Sequence, residues 1–199
     1  MSNIAIRKAT PDDAPVLRRV YEYASHGLSH YLWQQDYDGR QEFDAFVWER
    51  MRRKIADPKQ HFAVAEVDGV PAGGILTHDI NAPESLDGHN EIIRAFVVVE
   101  NDLVGTRYVN ALATFPAFRR LGIASRLLNH ATVQAAEANR ALSLSVCDEN
   151  PDAIRTYHAN GFSFIGARPM EKGDWQGEGE AWLQMVNESL IDWKAPVAA

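Results

Sequence analysis

The sequence predicts a mixed α/β domain, and three features carry that reading: a strand running into a capped helix at the amino end, a hairpin signal at Asp68-Gly69, and strand, helix, strand and helix in succession over residues 108–160. With 199 residues, 46% hydrophobic and 24% charged, the chain reads as one domain over residues 1–199 with enough apolar material for a core. Disordered, collagenous and low-complexity chains have compositions far from this one.

The elements follow in order. Residues 4–8 alternate apolar and polar, as a half-buried strand does. Thr10-Pro11-Asp12-Asp13 then supplies an N-cap, a proline at N1 and first-turn acids. Ala14, Leu17, Val20, Tyr21 and Ala24 share one helical face, and that helix ends near His26-Gly27. Residues 28–37 read as an aromatic loop. Phe43, Phe46, Val47, Met51 and Ile55 set a second helix over residues 41–57, stopped by Asp57-Pro58. Two β-prone runs, 62–67 and 70–78, flank Asp68-Gly69, where a type I′ turn needs positive φ at both central residues.

Residues 81–88 are crowded with turn formers, and Ile92, Ile93, Phe96, Val97 and Val99 then form a helical stripe. Residues 108–114 read as a buried strand, 122–139 as a helix, 141–147 as a strand and 150–160 as a helix closed by Gly161. That succession implies a parallel crossover pair. Runs 162–168 and 182–186 complete the sheet, and residues 195–199 are expected to fray.

Charge and cysteine usage narrow the function classes. Twenty Lys and Arg against 27 Asp and Glu give a net charge of −7, which opposes the phosphate neutralisation that nucleic-acid binding needs. A single cysteine makes no intrachain disulfide, and the amino terminus has no apolar run behind a basic start, so a cytoplasmic protein is expected. No apolar stretch approaches the roughly 20 residues that span a bilayer, so no membrane partner is expected. The seven histidines show no metal-ligand spacing, so no metal is expected either.

The specific signal begins where the strand over 108–114 ends at Phe115-Pro116 and a short turn delivers Arg119-Arg120-Leu121-Gly122-Ile123-Ala124 to a helix start. Helix openings present unpaired N–H groups and a positive dipole end, so small residues there let a phosphate approach backbone amides. A lone glycine at such a place is also a common packing device. Neither G-x-x-x-x-G-K-[ST] nor a G-x-G-x-x-G after the first strand occurs.

Taken with its flanking strand and helix, this run resembles motif A of the GCN5-related N-acetyltransferase superfamily, Gln/Arg-x-x-Gly-x-Gly/Ala. The resemblance continues in Asn150-Pro151-Asp152-Ala153-Ile154-Arg155-Thr156-Tyr157 and Gly161-Phe162, and in the opening Ile6-Arg7-Lys8-Ala9-Thr10-Pro11-Asp12-Asp13. It covers residues 4–187. Two departures stand out: Arg120 where many members have a second glycine, and an insertion over residues 81–107 between the third and fourth strands.

The resemblance implies a largely antiparallel sheet flanked by helices, in which a parallel fourth and fifth strand splay apart to hold acetyl-coenzyme A. It implies an acyltransferase that moves acetyl directly to a primary amine, and homodimers occur in the family. Leu112, Ala113 and Thr114 would offer backbone groups to the pantetheine arm and thioester. Arg119, Arg120, Leu121, Gly122, Ile123, Ala124 and Ser125 would cradle the pyrophosphate. Asn150 and Ala153 would face the cofactor with Tyr157, although Asn150 reads equally as an N-cap. Tyr157 would protonate the coenzyme A thiolate, against the ordinary reading of a buried tyrosine satisfied by a carbonyl.

A general base is not legible. Asp148, Glu149, Glu22, His26 and His30 lie in plausible segments, and for each a solvated role competes. Cys147 reads as a small buried hydrophobe. The acceptor pocket is expected from His26, His30, Tyr31 and Trp33 together with Phe96 of the insertion, although the aromatics of residues 28–37 would equally pack helix on helix. A small-molecule amine is the expected acceptor; a peptide amine, or a catalytically silent acyl-coenzyme A binding module, are the alternatives.

Overall fold

The computed structural model describes residues 3–195. Of the expected frayed tail, residues 196–199 lie outside the described residues, as do the first two. The sheet has seven strands: β1 (Ile4–Lys8), β2 (Gln60–Val67), β3 (Val70–Asp79), β4 (Arg107–Thr114), β5 (Leu142–Cys147), β6 (Phe162–Pro169) and β7 (Ala181–Asn187), in the order β1-β2-β3-β4-β5-β7-β6. Its helices are α1 (Ala14–Ala24), α2 (Leu28–Asp36), α3 (Phe43–Ala56), α4 (Glu91–Asn101), α5 (Ile123–Glu137) and α6 (Pro151–Ala159). The chain divides into two compact units, one made of residues up to Thr77 with Asn110–Leu128, the other of His78–Val109 with residues from Asn129 on.

In the first unit, β1 pairs antiparallel with β2. Arg7 holds Asp13 with two 2.8 Å bonds and Glu66 with a third of 2.8 Å, tying β1 to the 3-10 turn Pro11–Asp13 that opens α1. The Asp13 carboxylate also accepts the Thr10 N–H at 2.7 Å, closing a capping box. Leu17 and Val20 of α1, Val47 and Met51 of α3, and Phe62, Val64, Leu76, Ala111, Ala113 and Phe115 from the strands form one core. Each fully buried aliphatic side chain of this kind contributes about 1.5–3 kcal/mol. The hairpin signal is realised, with Asp68 at φ 51° and Gly69 at φ 82°.

Residues 28–37 differ from the expected loop: α2 occupies most of them. His26 at φ 50° and Gly27 at φ 91° turn the chain after α1, and the Ser25 hydroxyl accepts the Ser29 N–H at 3.1 Å to start the new helix. Only Leu28, Ser29 and Trp33 are buried on it, a stripe too narrow to show a helical period in nine residues.

In the second unit, Ile80, Val99, Leu103, Tyr108, Ala141 and Val186 form a core against which Trp182 and Trp193 pack. β7 pairs antiparallel with both β5 and β6. The inserted residues build α4, whose first turn is capped by Asn90 accepting the Ile93 N–H at 2.9 Å. The crossover pair is parallel, but its ladder covers only Arg107, Tyr108 and Val109 against Leu142, Ser143 and Leu144.

Candidate active site

Where the ladder with β5 stops, β4 continues against β3. Phe115 N–H donates to the Ala72 carbonyl at 2.8 Å, and Gly73 lies so close to Ala113 that a Cβ there would overlap its carbonyl oxygen. Ala113 is buried, Leu112 and Thr114 are half-buried, and the Thr114 hydroxyl oxygen is a buried polar atom with no hydrogen-bond partner. A native interior seldom leaves such an atom orphaned, and one at a strand's carboxyl end is suited to a bound polar group.

Downstream of Thr114, the 3-10 turn Pro116–Phe118 leads to Arg119, Arg120 and Leu121, all exposed. Arg120 at φ 63° and Gly122 at φ 75° are both left-handed, and nothing lies within 4 Å of a Cβ built on Gly122. Two left-handed residues swing the backbone into the start of α5, where Arg126 N–H to Gly122 carbonyl, at 3.1 Å, closes the opening turn. The amides ahead of that bond have no carbonyl within the helix to serve them, and open space at Gly122 leaves the approach clear. Ile123 is buried as an anchor, Ala124 is half-buried, and Ser125 is exposed. These residues fit an anionic diphosphate held on backbone amides with the Arg119 and Arg120 side chains at its rim.

Asn150, Ala153 and Tyr157 lie on α6 in the second unit. The Asn150 carboxamide oxygen accepts the Ala153 N–H at 3.1 Å, so the capping reading of Asn150 is realised. The Tyr157 ring leans on Phe162 at 5.8 Å between centroids, and burial pushes its hydroxyl up to about 12. The group is therefore a neutral phenol throughout the working pH range. Cys147 is half-buried, its thiol directed at Asp148 Oδ1 (3.7 Å) and the Glu178 carbonyl (3.5 Å), with burial pushing its pKa upward. A raised thiol pKa disfavours the nucleophilic thiolate.

The expected acceptor residues divide. Trp33 is 4% exposed and sits edge-on to Tyr21 in the core. His30 and Tyr37 each pack edge-on against Phe43 at 5.3 Å, so helix packing accounts for much of this aromatic density. His26 is exposed and Tyr31 half-buried. Phe96 of α4 stacks on Trp182 at 5.0 Å in the second unit. In the same unit, a groove of about 370 Å³ is lined by Leu86, Arg94, Ala95, Val98, Arg168 and Glu171 among others; Phe96 is not in its lining.

The side chains considered as bases are mostly engaged. Glu22 pairs with Arg18 at 2.8 Å. Burial is the largest single influence on Asp148 and works against its charge, but the Glu180 N–H at 3.0 Å, further backbone bonds and the Cys147 thiol together outweigh it and hold the carboxyl below the usual range. One cluster has no sequence signal: His78 at the end of β3 meets Glu100 of α4 at 3.0 Å, beside Tyr108, whose hydroxyl lies 2.5 Å from Ser145 Oγ. Only the fold brings together residues 22 and 37 positions apart.

Comparison with known proteins agrees with this fold. The sequence model of the Acetyltransferase (GNAT) family matches residues 25–162. No curated protein matches the sequence significantly. Among solved structures, yncA of Salmonella typhimurium, determined with its cofactor acetyl-CoA, superposes with a TM-score of 0.61 at 22% identity, covering 100% of both chains. The ribosomal-protein-S18-alanine N-acetyltransferase of Escherichia coli gives 0.61 at 15% identity, covering 99% of this chain and 100% of that one. A mutant of the spermidine N-acetyltransferase SpeG of Vibrio cholerae gives 0.60 at 18% identity, covering 92% of each. At these identities the structural likeness speaks for the fold.

The family match over residues 25–162 makes the class an acetyl-coenzyme A-dependent acyltransferase. The chain belongs to the acetyltransferase (GNAT) family, and acetyl-coenzyme A is its donor. Among the described residues no helix is long and apolar enough to cross a membrane, and no group of three or more His, Cys, Asp or Glu could hold a metal ion.

Proposed function

We propose that the protein acetylates a primary amine of a small molecule, by direct transfer from acetyl-coenzyme A. The observation that carries the small-molecule reading is the groove of about 370 Å³ beside the inserted α4, a volume in the range of small-ligand sites. Glu91 and Glu171 offer the groove carboxylates for an ammonium, beside Arg94 and Arg168, whose charges suit an anionic part of the same molecule. Nothing in the reading calls for a nucleic acid or a membrane, and a lone cysteine suits a reducing, cytoplasmic setting.

Each candidate residue then has a task. The amides and side chains of residues 119–125 hold the donor's pyrophosphate, and Leu112, Ala113 and Thr114 receive its pantetheine arm, the orphaned Thr114 hydroxyl included. The donor supplies an activated thioester carbonyl. Tyr157 donates a hydrogen bond to the leaving sulfur. With its hydroxyl near 12 and a coenzyme A thiol at ~8.5, full proton transfer from the phenol is uphill by roughly 5 kcal/mol. Tyr157 therefore stabilises the departing thiolate, while the proton that ends on sulfur is one the attacking amine gives up.

The test is coenzyme A thiol release from acetyl-coenzyme A against a panel of free amines, amino acids, polyamines and lysine-containing peptides. Turnover with free amines above peptides is expected. Peptide-only turnover overturns the small-molecule reading, and no thiol release above background with any amine overturns acceptor chemistry.

A further inference from the structure

We propose that His78, oriented by Glu100, is the general base that deprotonates the attacking amine. This rests on acetyl transfer to an amine as read above, and it names a residue pair that lies outside the segments where sequence motifs point.

A carboxylate only accepts hydrogen bonds, so the Glu100 Oε2 contact at 3.0 Å assigns the proton to His78 Nε2 and leaves a lone pair on Nδ1. That Nδ1 is buried and has no hydrogen-bond partner. Most buried ring nitrogens in native interiors are satisfied, whereas a base needs one nitrogen bare and the other held. Glu100 also stabilises the imidazolium that forms when Nδ1 takes a proton. Both side chains are mostly enclosed, at 18% and 25% exposure, so the pair acts in a medium that screens their attraction poorly.

Position supports the assignment. The His78 ring lies 5.6 Å from the Tyr108 ring, one residue before the point where the β4–β5 ladder ends. Tyr108 in turn is buried beside this pair, its hydroxyl 2.5 Å from Ser145 Oγ of β5, so the base stands next to the strand pair that splays. An amine attacking the thioester carbon must sit within a bond or two of the leaving sulfur. Nδ1 is shut from solvent in the free chain, so base catalysis by His78 requires local opening when the acceptor binds. The titratable groups that face His78 are Glu100 from α4 and Tyr108 from β4.

The step balances. The ammonium passes one proton to Nδ1, and the neutral nitrogen bonds to the acetyl carbon. The C–S bond then breaks with its electron pair on sulfur, which receives a second nitrogen proton. The imidazolium returns its proton to water.

The test uses the full chain with H78A, H78Q and E100Q. Acetyl-coenzyme A affinity and Tm are measured beside turnover of the best amine from the wild-type panel. H78A and H78Q are expected to lower kcat by about 100- to 10,000-fold with unchanged acetyl-coenzyme A affinity. Added imidazole should restore part of the H78A turnover, and the acid limb of the wild-type pH–rate profile should flatten in H78Q. E100Q should fall less, because an amide still orients the ring without stabilising its charge. Wild-type turnover with a folded H78Q equally fast overturns the base and leaves acetyl transfer standing. If the His78 variants fail to fold, E100Q at wild-type kcat with an unmoved pH profile overturns it instead. A wild type that acetylates no amine overturns both.

Discussion

Gly73 of β3 lies against the carbonyl of Ala113 in β4, too close for any side chain to stand between them. The contact sets how near β3 approaches the stretch of β4 assigned to the pantetheine arm. Gly73→Ala should cost about 1–3 kcal/mol, the usual range for overpacking, and should weaken acetyl-coenzyme A binding by displacing residues 112–114. Urea unfolding with calorimetric titration of the donor checks both effects. A variant of wild-type stability would mean that the strand yields freely there.

Gly122 reports on the phosphate cradle. Its φ of 75° and the open space around it mean that the Cβ of Gly122→Glu meets no neighbour, so the backbone cost is the left-handed penalty of about 1–2 kcal/mol. The acetyl-coenzyme A-induced rise in Tm should nonetheless vanish, since a carboxylate then occupies the anion's place. A folded Gly122→Glu protein with an undiminished shift would remove the basis for the site.

Trp33 and Phe96 should part company. Trp33, 4% exposed in the core of the first unit, should cost about 3–5 kcal/mol as Trp33→Ala and lower Tm sharply. Phe96, half-buried on the helix whose Ala95 and Val98 line the groove, should raise the acceptor KM as Phe96→Ala while sparing donor binding. Steady-state kinetics at saturating donor, beside thermal melts, separates the two outcomes.

That contrast shows how far the sequence could be read. The Asp68-Gly69 turn, the Arg119 to Ala124 run and the Asn150 cap are local devices, and each sits in the structure where its residues imply. The fate of residues 28–37 was not local. Leu28, Ser29 and Trp33 make too narrow a stripe for periodicity to register, and whether an aromatic lines a pocket or a core depends on what packs over it. His78 and Glu100 meet only because α4 brings the chain back beside the end of β3, and no spacing rule connects them.

Acid stability depends on the Arg7–Asp13 pair. Hydrogen bonding to Arg7 is the largest influence on Asp13 and holds its carboxyl below the usual range, more than offsetting burial. A depressed native pKa gives stability that is complete above the unfolded value of ~3.9 and is lost as pH falls through the lower native one. Denaturation midpoints measured between neutral pH and the acid range should therefore fall below about pH 4 in the wild type and change less steeply in Asp13→Asn. Equal slopes would show the pair to be energetically silent.

In the mechanism we propose, acetyl passes straight from coenzyme A to an amine, with Tyr157 assisting the departure of sulfur. Its most direct test is a single-turnover experiment with isotopically labelled acetyl-coenzyme A, following free thiol, labelled amine and labelled protein together, in wild type and Tyr157→Phe. Thiol and acetylated amine should appear at one rate and in equal amounts with no label on Cys147, and Tyr157→Phe should slow both by roughly ten- to a thousandfold with little change in donor affinity. Label accumulating on the protein before the amine, or a Tyr157→Phe rate equal to wild type, would contradict it.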